Sequence, residues 1–366
     1  MAVRPKGAPR SLYAPSYVPR FRCLGPQCPH SCCEGWEVLI DPSTAGFYAA
    51  VPGELGQRLR AALRRDGEEL CFPLHGGRCP FWEPSGLCEI HRRLGEEHTS
   101  FICRTHPRFL DDYGARRELT LGASCPEVVR LVLEEDGELL SQPETLWQEP
   151  GEPSEETPEL LKPLLLGREA ALALLRRPGP MAGRLWGVAL LANDLQALVD
   201  QGEETRSADV CDAWATEPLP EAPAEGETTA REAWETLLAQ LSSLEILGED
   251  WRALLTAARE GLQQGSLSLH PPQETQTRRT AAYFLLRHWL HGVWDGDVLS
   301  QAELAVLGTA AAALLGNFTS FPEALRLFCR EMEHCQENLD ALQEAFWGSI
   351  GLDTFQAALS LPGLLS

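Results

Sequence analysis

The chain of 366 residues is long enough for two domains, each with its own hydrophobic core. Its formal net charge of −22 is unevenly divided, because residues 1–130 carry a net charge of +2 and the remainder carries −24. An acidic body of this kind repels nucleic-acid backbones, so we expect no nucleic-acid partner.

The apolar segments and the first residues predict a soluble, cytoplasmic protein. The opening residues contain charges and prolines but lack the apolar core of a signal peptide. The longest nearly uncharged apolar stretch, 305–316, is too short to span a bilayer, so we expect no membrane association. In a reducing compartment, clustered cysteines are more often metal ligands or catalytic groups than disulfides.

Residues 1–135 predict an irregular domain with short strands. The patterns indicate a strand at 36–41, a helix within 47–65, a hairpin at 79–90, a strand at 119–121 and a helix with Pro126 at its first position. The loops between these elements carry most of the cysteines.

Residues 136–366 predict an acidic, all-helical domain that follows a linker at 134–159. Apolar residues at i, i+3, i+4 and i+7 predict helices at 158–176, 181–201, 229–244, 248–264, 277–294, 300–316 and 322–347. A loop rich in proline and glutamate is predicted at 216–228. The predicted fold class is therefore mainly α, with an irregular cysteine-rich metal-binding domain at 1–135 and an all-helical domain at 136–366.

The strongest signal is the density of thiols near the start of the chain. Nine of the 12 cysteines lie within the first 125 positions, and four of them occupy eleven positions: Cys23, Cys28, Cys32 and Cys33. No hydrophobic core needs thiols at this density, whereas zinc, iron–sulfur clusters and Cu(I) are held by thiolates. Adjacent side chains diverge along an extended backbone, so at least one of Cys32 and Cys33 is predicted to serve another centre or role.

A second set of cysteines follows at Cys79, Cys88, Cys103 and Cys125, with Cys71 as an outlier. Proline directly after Cys79 and Cys125 is a feature of iron–sulfur ligand loops. The two C-x2-C pairs typical of zinc sites are absent. The eight cysteines of the two sets are thus predicted metal ligands, with a 4Fe–4S cluster favoured and zinc as the alternative. His91 and His106 are either further ligands or hydrogen-bonded structural residues.

Several motifs together resemble one known family. They are the run Tyr17-Val18-x2-Phe21-x-Cys23-x-Gly25-x2-Cys28-x3-Cys32-Cys33-x-Gly35-Trp36-x-Val38-x-Ile40-Asp41, then Gly77-x-Cys79-Pro80-Phe81, Gly86-Leu87-Cys88-x-Ile90, Leu94-Gly95-Glu96, Cys103-Arg104-Thr105-x-Pro107-Arg108, Ser124-Cys125-Pro126-Glu127, Tyr283-x-Leu285-x-Arg287-His288 and Glu333-His334-x2-Glu337-Asn338. This pattern resembles the flagellin lysine-N-methylase family, part of a wider group with a zinc- or iron-chelating cysteine cluster. The stretch 140–275 contains no matching motif.

The resemblance implies methyl transfer from S-adenosylmethionine (SAM) to lysine ε-amines of a protein, such as flagellin. The chain has no G-x-G-x-x-G loop after a predicted strand, so a Rossmann methyltransferase domain is not supported. A SAM site is then expected between the two domains, with Arg287, Arg104 and Trp36 as the candidate cofactor-binding residues.

Methyl transfer to an amine requires an unprotonated nucleophile, held in line with the sulfonium. On a helix predicted over 321–346, the residues Glu331, His334 and Asn338 share one stripe beside the apolar face. They are the candidate catalytic residues, together with Tyr283, and the alternative for the stripe is a solvated helix flank. Arg287 either binds the SAM carboxylate or neutralises an acidic neighbour.

Three functions remain open from the residues alone. The first is a SAM-dependent protein lysine methyltransferase with a cysteine-ligated metal centre, which the resemblance favours. The second is an iron–sulfur electron-transfer protein that does not bind SAM. The third is a structural zinc domain that organises a helical protein-interaction body.

Overall fold

The computed structural model describes residues 10–35, 37–67, 69–134, 143–149, 157–264 and 269–365. Helices dominate these residues, and this confirms the mainly α fold class. Within these ranges the strands are short and all lie before residue 150.

Strands and short helices make up the first part of the chain. The strands are β1 (Arg10–Ala14), β2 (Val38–Leu39), β3 (Arg64–Asp66), β4 (Glu69–Phe72), β5 (Arg108–Tyr113), β6 (Arg116–Leu121) and β7 (Glu144–Glu149). The helices are α1 (Pro42–Ala50), α2 (Gly53–Ala62), α3 (Glu89–Leu94), α4 (Phe101–Thr105) and α5 (Pro126–Leu133). Pro126 stands at the start of α5, as predicted from its fixed φ.

The helical body follows. Its helices are α6 (Leu161–Arg176), α7 (Met181–Gln201), α8 (Ser207–Thr216), α9 (Glu227–Ser243), α10 (Glu249–Gln263), α11 (Glu274–His288), α12 (Gly292–Asp295), α13 (Val298–Leu315), α14 (Phe321–Glu333), α15 (Gln336–Trp347) and α16 (Leu352–Leu359). The predicted loop between α8 and α9 is confirmed. Helices α8 and α16 were not predicted.

The single helix predicted over 321–346 is wrong. Helix α14 ends at Glu333, where His334 leaves the helical region with φ −116° and ψ 12°. Cys335 is extended, with φ −138° and ψ 104°, and α15 begins after it. Glu331 and Asn338 therefore lie on two different helices, and the predicted stripe does not exist as one helical face.

The strands form two separate sheets. The first has the order β5-β6-β1-β7, with β1 parallel to β6 and antiparallel to β7. The second has the order β2-β4-β3 and is antiparallel. Strand β7 lies inside the predicted linker at 134–159 and pairs with β1. Part of the predicted linker therefore belongs to the first sheet. The domain boundary at residue 135 stays a prediction.

Two hydrophobic cores underlie these sheets. A small core is formed between residues 38 and 90, around Tyr48, Phe72 and Phe81. A large core contains the helical body and also residues from β1, β5, β6 and α5, such as Tyr113 and Val128. The flanks of the cysteine-rich region thus pack on the helical body, while its middle has a core of its own.

A buried ion pair joins the first sheet to the helical body. Arg168 on α6 donates to both carboxylate oxygens of Glu118 on β6, at 2.8 and 2.7 Å. Both residues are buried, and Glu118 also pairs with Arg116. Such a bidentate pair fixes the orientation of two elements, because breaking it would leave a charge unpaired in the interior.

Helix α13 lies at the centre of the large core. Among the described residues, it is the one helix whose length and composition would allow it to cross a membrane. Of its most apolar window, 94% is buried inside the protein, which is the environment of a core helix. It is longer than the stretch that sequence analysis treated as too short to span a bilayer.

Candidate functional site

The cysteine-bearing segments meet the helical body at a buried polar network around Glu333, the last residue of α14. The Tyr283 hydroxyl donates to Glu333 Oε1 at 2.6 Å and accepts from the backbone N–H of Ala123 at 2.7 Å. The chain passes close by at Gly122, where a Cβ atom would lie only 2.7 Å from the Phe109 ring and 3.1 Å from Glu333 Oε2. Glycine is therefore required for this close approach.

His288 and Arg287, at the end of α11, extend the network. His288 Nε2 lies 3.3 Å from Glu333 Oε1. Arg287 Nη1 lies 3.4 Å from Asp111 Oδ2 on β5 and 3.2 Å from His291 Nε2. Arg287 thus has an acidic neighbour in this structure, and its assignment to SAM binding stays a prediction.

His334 lies at the same junction. Its Nε2 atom is 2.7 Å from Ser124 Oγ, and its ring centroid is 5.5 Å from that of His106. Ser124 directly precedes Cys125, and His106 directly follows α4, the helix that carries Cys103. Two cysteine-bearing segments therefore contact His334. We call Tyr283, Arg287, His288, Glu333, His334 and Ser124 the junction network.

Burial dominates the electrostatics of the junction network. It raises the pKa of the Glu333 carboxyl and places that of the Tyr283 hydroxyl well above its usual value. It also holds the pKa of His288 well below its usual value, and burial followed by the proximity of His106 lowers the pKa of His334 to about 4. Both imidazoles are therefore neutral at pH 7 and retain one nitrogen that can accept a hydrogen bond.

Glu331 and Asn338 belong to a different cluster. Glu331 Oε2 accepts from the backbone N–H of Leu247 at 2.7 Å, and Oε1 accepts from Arg330 at 2.7 Å. The Asn338 amide bonds both backbone groups of Glu245 at 2.8 Å and donates to the Glu331 carbonyl at 3.0 Å. We call Glu331, Arg330 and Asn338 the loop clamp, because they hold the loop before α10 and cap the end of α14.

The structure thus divides the predicted catalytic residues. Tyr283 and His334 lie in the junction network, together with Arg287. Glu331 and Asn338 lie in the loop clamp, where their hydrogen bonds favour a structural role. Their catalytic assignment stays a prediction.

Two predicted cofactor-binding residues remain, Arg104 and Trp36. Arg104 lies apart from the junction network and the loop clamp. Arg104 donates to the backbone carbonyl of Thr99 at 2.7 Å, and its guanidinium carbon is 5.5 Å from the centroid of the Phe101 ring. Trp36 lies outside the described residues. Their assignment to SAM binding stays a prediction.

One group of predicted metal ligands gathers at the small core. We call Cys33, Cys79, Cys88 and Cys103 the first thiol group. The backbone N–H of Cys79 donates to the Cys33 carbonyl at 2.8 Å. Trp82, in the turn that follows Cys79, forms a β-bridge with Cys88 and so brings the third cysteine to the group. Burial raises the pKa of the Cys79 thiol to about 12, and the other three thiols of the group add to this shift. The group therefore brings together cysteines from four separate segments.

A second group lies beside the large core. We call Cys23, Cys28 and Cys125 the second thiol group. Burial raises the pKa of the Cys125 thiol to about 11, and the other two thiols add to the shift. The Cys32 thiol interacts with a member of each group. A hydrogen bond to Cys33 of the first group raises its pKa, and the Cys23 thiol of the second group adds to the effect. The expectation that the adjacent cysteines do not serve one tetrahedral ion stays a prediction.

The donor chemistry of both groups fits a thiolate-bound metal, but the coordination geometry is not formed. Across the described ranges, no three His, Cys, Asp or Glu side chains are arranged to hold one ion. Cys23, Cys32 and Cys103 are exposed, so rotation of their side chains toward the other thiols is open to them. Cys71 is separate, as predicted for an outlier, because it is buried in β4 and donates to Glu37 Oε2 at 3.2 Å.

Several residues of the site were not predicted as site residues: His288, Glu333, Ser124 and Asp111. The resembling motifs contain the first three, each next to a residue that was chosen, so the signal was present. Asp111 lies in no motif and is brought to Arg287 only by the pairing of β5 with β6.

Curated relatives from Salmonella match part of the chain. The Lysine-N-methylases of Salmonella typhimurium and Salmonella choleraesuis are 28% and 27% identical to it over 142 residues, which is 37% of this chain and 35% of each relative. The Flagellar biosynthetic protein FliU of Salmonella muenchen is 29% identical over 126 residues, which is 32% of this chain and 75% of that protein. The chain thus matches about a third of the length of the two Lysine-N-methylases.

These relatives confirm the resemblance to the lysine-N-methylase family over about a third of the chain. No protein-family model matches the sequence. No solved structure matches it either.

Proposed function

We propose that this protein is a SAM-dependent protein lysine N-methyltransferase in which the cysteine-rich segments hold a metal centre. The observation that carries the proposal is the position of the junction network. The buried Tyr283 of α11 and His334, directly after α14, contact the two segments that bear Cys103 and Cys125. Buried acids and bases with shifted pKa values cluster at reactive sites, and in this network they contact one another and not only the backbone.

The network supplies the groups that an amine acceptor needs. Methyl transfer consumes an unprotonated amine, so the site has to hold the lysine away from water and take up its proton. Glu333 accepts from Tyr283 and lies beside His288, an arrangement that fixes the imidazole by a carboxylate. We assign Glu333 and Tyr283 as residues that position the His288 imidazole. His288 is then the group nearest the amine of the substrate lysine.

The metal centre would be held by the first or the second thiol group. A cluster bound there would supply electrostatic stabilisation and an anchor for polar ligand groups. We favour 4Fe–4S over zinc because of the proline-bearing cysteine loops. The chain's own part in this arrangement is to connect the centre to the network, through His106 and Ser124 on either side of His334.

SAM enters the proposal from the resemblance alone, and the names of the relatives specify only methylation of lysine. A cavity beside the junction network has a volume of about 140 Å³, below the roughly 300–1,000 Å³ of pockets for larger ligands. This cavity therefore does not accommodate the whole donor, and we derive no step through it. The proposed substrate is a protein with accessible lysines, with flagellin as the first candidate because of the relative named for flagellar biosynthesis. We propose that the reaction takes place in the cytoplasm.

Anaerobic purification followed by methyl transfer assays tests the proposal. We expect iron with matching sulfide, absorption near about 400 nm from a thiolate-bound cluster, and transfer of labelled methyl from SAM to lysines of purified flagellin. Zinc without sulfide would leave the methyltransferase standing if labelled lysine is still formed. A reducible cluster with no response to SAM would indicate electron transfer instead, and a colourless protein without turnover would indicate a structural zinc domain.

A further inference from the structure

A small cavity opens next to the junction network, between the end of α11, α13 and α15. Its volume is about 140 Å³. His288 and Ser300 contribute polar groups to its lining, and both residues are 1% exposed. Leu304, Leu342 and Phe346 contribute apolar surface and are also buried. The cavity is therefore a small recess with a mostly polar lining, an apolar side formed by these three residues, and His288 and Ser300 among its buried members.

Two polar atoms of this lining have no partner inside the protein. Across the described part of the chain, His288 Nδ1 and Ser300 Oγ are buried and make no hydrogen bond. An unsatisfied buried polar group costs about 1–3 kcal/mol, so each such atom requires an explanation. Because His288 Nε2 faces Glu333 at 3.3 Å, a proton on Nε2 leaves Nδ1 as an acceptor. A hydrogen-bond donor that reached this nitrogen from the cavity would supply the missing partner.

The outer lining of the cavity is acidic. Asp295 and Asp340 both line it and are exposed. His291, which also lines the cavity, lies 3.6 Å from Asp111 and 3.2 Å from Arg287, so it is already engaged. Two exposed carboxylates beside a recess that ends in hydrogen-bond acceptors favour a cationic donor with an apolar stem.

Two tryptophans are exposed next to this lining. Trp294 precedes Asp295 and Trp347 follows Phe346, and each is 56% exposed. Exposed indoles beside a recess are typical of surfaces that bind another polypeptide. The occupant is therefore better described as a side chain carried by a protein than as a free amino acid.

We infer that this cavity receives the lysine side chain of the protein substrate, with its methylenes along Leu304, Leu342 and Phe346 and its amine at His288 and Ser300. The inference rests on the proposed function and deepens it, because it names the place where the acceptor binds. The volume suits one side chain and excludes the whole methyl donor. The donor would approach the amine from outside the recess.

This placement has a consequence for reactivity. Burial of an ammonium group disfavours its charged form, so the amine loses its proton more readily inside the recess than in water. The neutral His288 imidazole and the Ser300 hydroxyl accept hydrogen bonds from either form of the amine. The recess thereby favours the unprotonated nucleophile.

A binding experiment that needs no turnover tests the inference. The probes are Nα-acetyl-lysine amide and Nα-acetyl-norleucine amide, which share the apolar stem and differ in the amine, titrated into the full-length purified protein by saturation-transfer NMR. We expect saturable binding of the lysine amide with a Kd on the order of millimolar and much weaker binding of the norleucine amide. The double variant Asp295→Asn/Asp340→Asn should weaken lysine-amide binding about five- to ten-fold.

Glu344→Gln is the matched control. Glu344 is exposed on the same helix as Asp340 and does not line the cavity, so this variant should bind the lysine amide as the wild type does. Equal binding of the two probes, no binding of either, or an unchanged Kd in the double variant would overturn the inference. Lysine-amide binding without methyl transfer would refute the proposed reaction and leave the cavity assignment standing. Methyl transfer that is unaffected by the double variant would refute the cavity assignment and leave the proposed reaction standing.

Discussion

The junction network and the loop clamp lie at the same end of α14, yet they differ in how their polar groups are satisfied. In the loop clamp, Glu331 and Asn338 direct their hydrogen bonds mainly to the backbone of one loop. In the junction network, Glu333 contacts other titratable side chains, and His288 keeps a nitrogen without a partner among the described residues. Saturated backbone contacts indicate structure, whereas interacting titratable groups beside a cavity indicate chemistry.

The comparison also shows how little separates the two roles along the chain. Glu331 and Glu333 are two residues apart on one helix, so they point to different sides of it. Glu331 faces the loop before α10, and Glu333 faces α11 and the cysteine-bearing segments. The difference predicts opposite outcomes when each carboxylate is changed.

The largest effect is expected for Glu333→Gln. The amide keeps the volume but no longer offers a carboxylate to Tyr283 and His288, so turnover should fall about 100-fold or more. Thermal stability and metal content should remain close to wild type, because the pKa of Glu333 is already raised by burial and the neutral amide suits that environment. The rate with labelled SAM, together with the melting temperature, checks both parts. A normal rate would remove Glu333 from the site.

His334→Ala is expected to have a smaller effect on turnover, about ten-fold, and to spare the metal. The imidazole contacts Ser124 and His106, so its loss loosens the two cysteine-bearing segments without removing a thiol. Iron content and the visible spectrum serve as the control. Full activity in this variant would return His334 to a purely structural position.

Asn338→Ala should cost stability rather than activity. It removes three hydrogen bonds and leaves backbone groups of Glu245 and the Glu331 carbonyl unsatisfied, at a cost of about 1–3 kcal/mol in the free energy of unfolding. Chemical denaturation measures this loss, and the rate per folded molecule should stay within about two-fold of wild type. A specific loss of turnover at unchanged stability would support the catalytic assignment that sequence analysis gave to Asn338.

A separate effect, on stability alone, is its dependence on pH. Burial is the main cause that lowers the folded-state pKa of both His106 and His334 from 6.5 to about 4. The unfolded chain then binds more protons between pH 6.5 and pH 4, so stability is present above pH 6.5 and is lost as the pH falls through this window. Each histidine contributes a slope of up to about 1.4 kcal/mol per pH unit. Denaturation at pH 7 and pH 5 should show a smaller difference for His106→Phe than for the wild type.

Much of the helical body could be predicted from the sequence, because its apolar periodicity is long and regular. The boundary at His334 could not, since neither glycine nor proline stands between Glu333 and Gln336. The break is fixed by tertiary contacts: the Asn338 side chain caps α14 through the Glu331 carbonyl. Periodicity carries no information about a cap supplied by the following helix.

The candidate site could be predicted only in part from the sequence, because tertiary contacts also decide which of its residues meet. Tyr283 and His334 were selected from motifs, but the partner of Tyr283 is Glu333, which lies 50 positions away in sequence. The pairing of Arg287 with Asp111 joins residues 176 positions apart and depends on how β5 packs on α11. Local patterns identify residue types suited to chemistry, whereas the fold decides which of them meet.

The most direct test compares Glu333→Gln with Glu331→Gln in one assay. Labelled SAM and purified flagellin are supplied to both anaerobically purified variants and to the wild type, and methylated lysines are identified by mass spectrometry. The account predicts that methylation is lost by about 100-fold in Glu333→Gln and retained per folded molecule in Glu331→Gln. Equal loss in both variants, or loss only in Glu331→Gln, would contradict the assignment of the junction network as the reactive site.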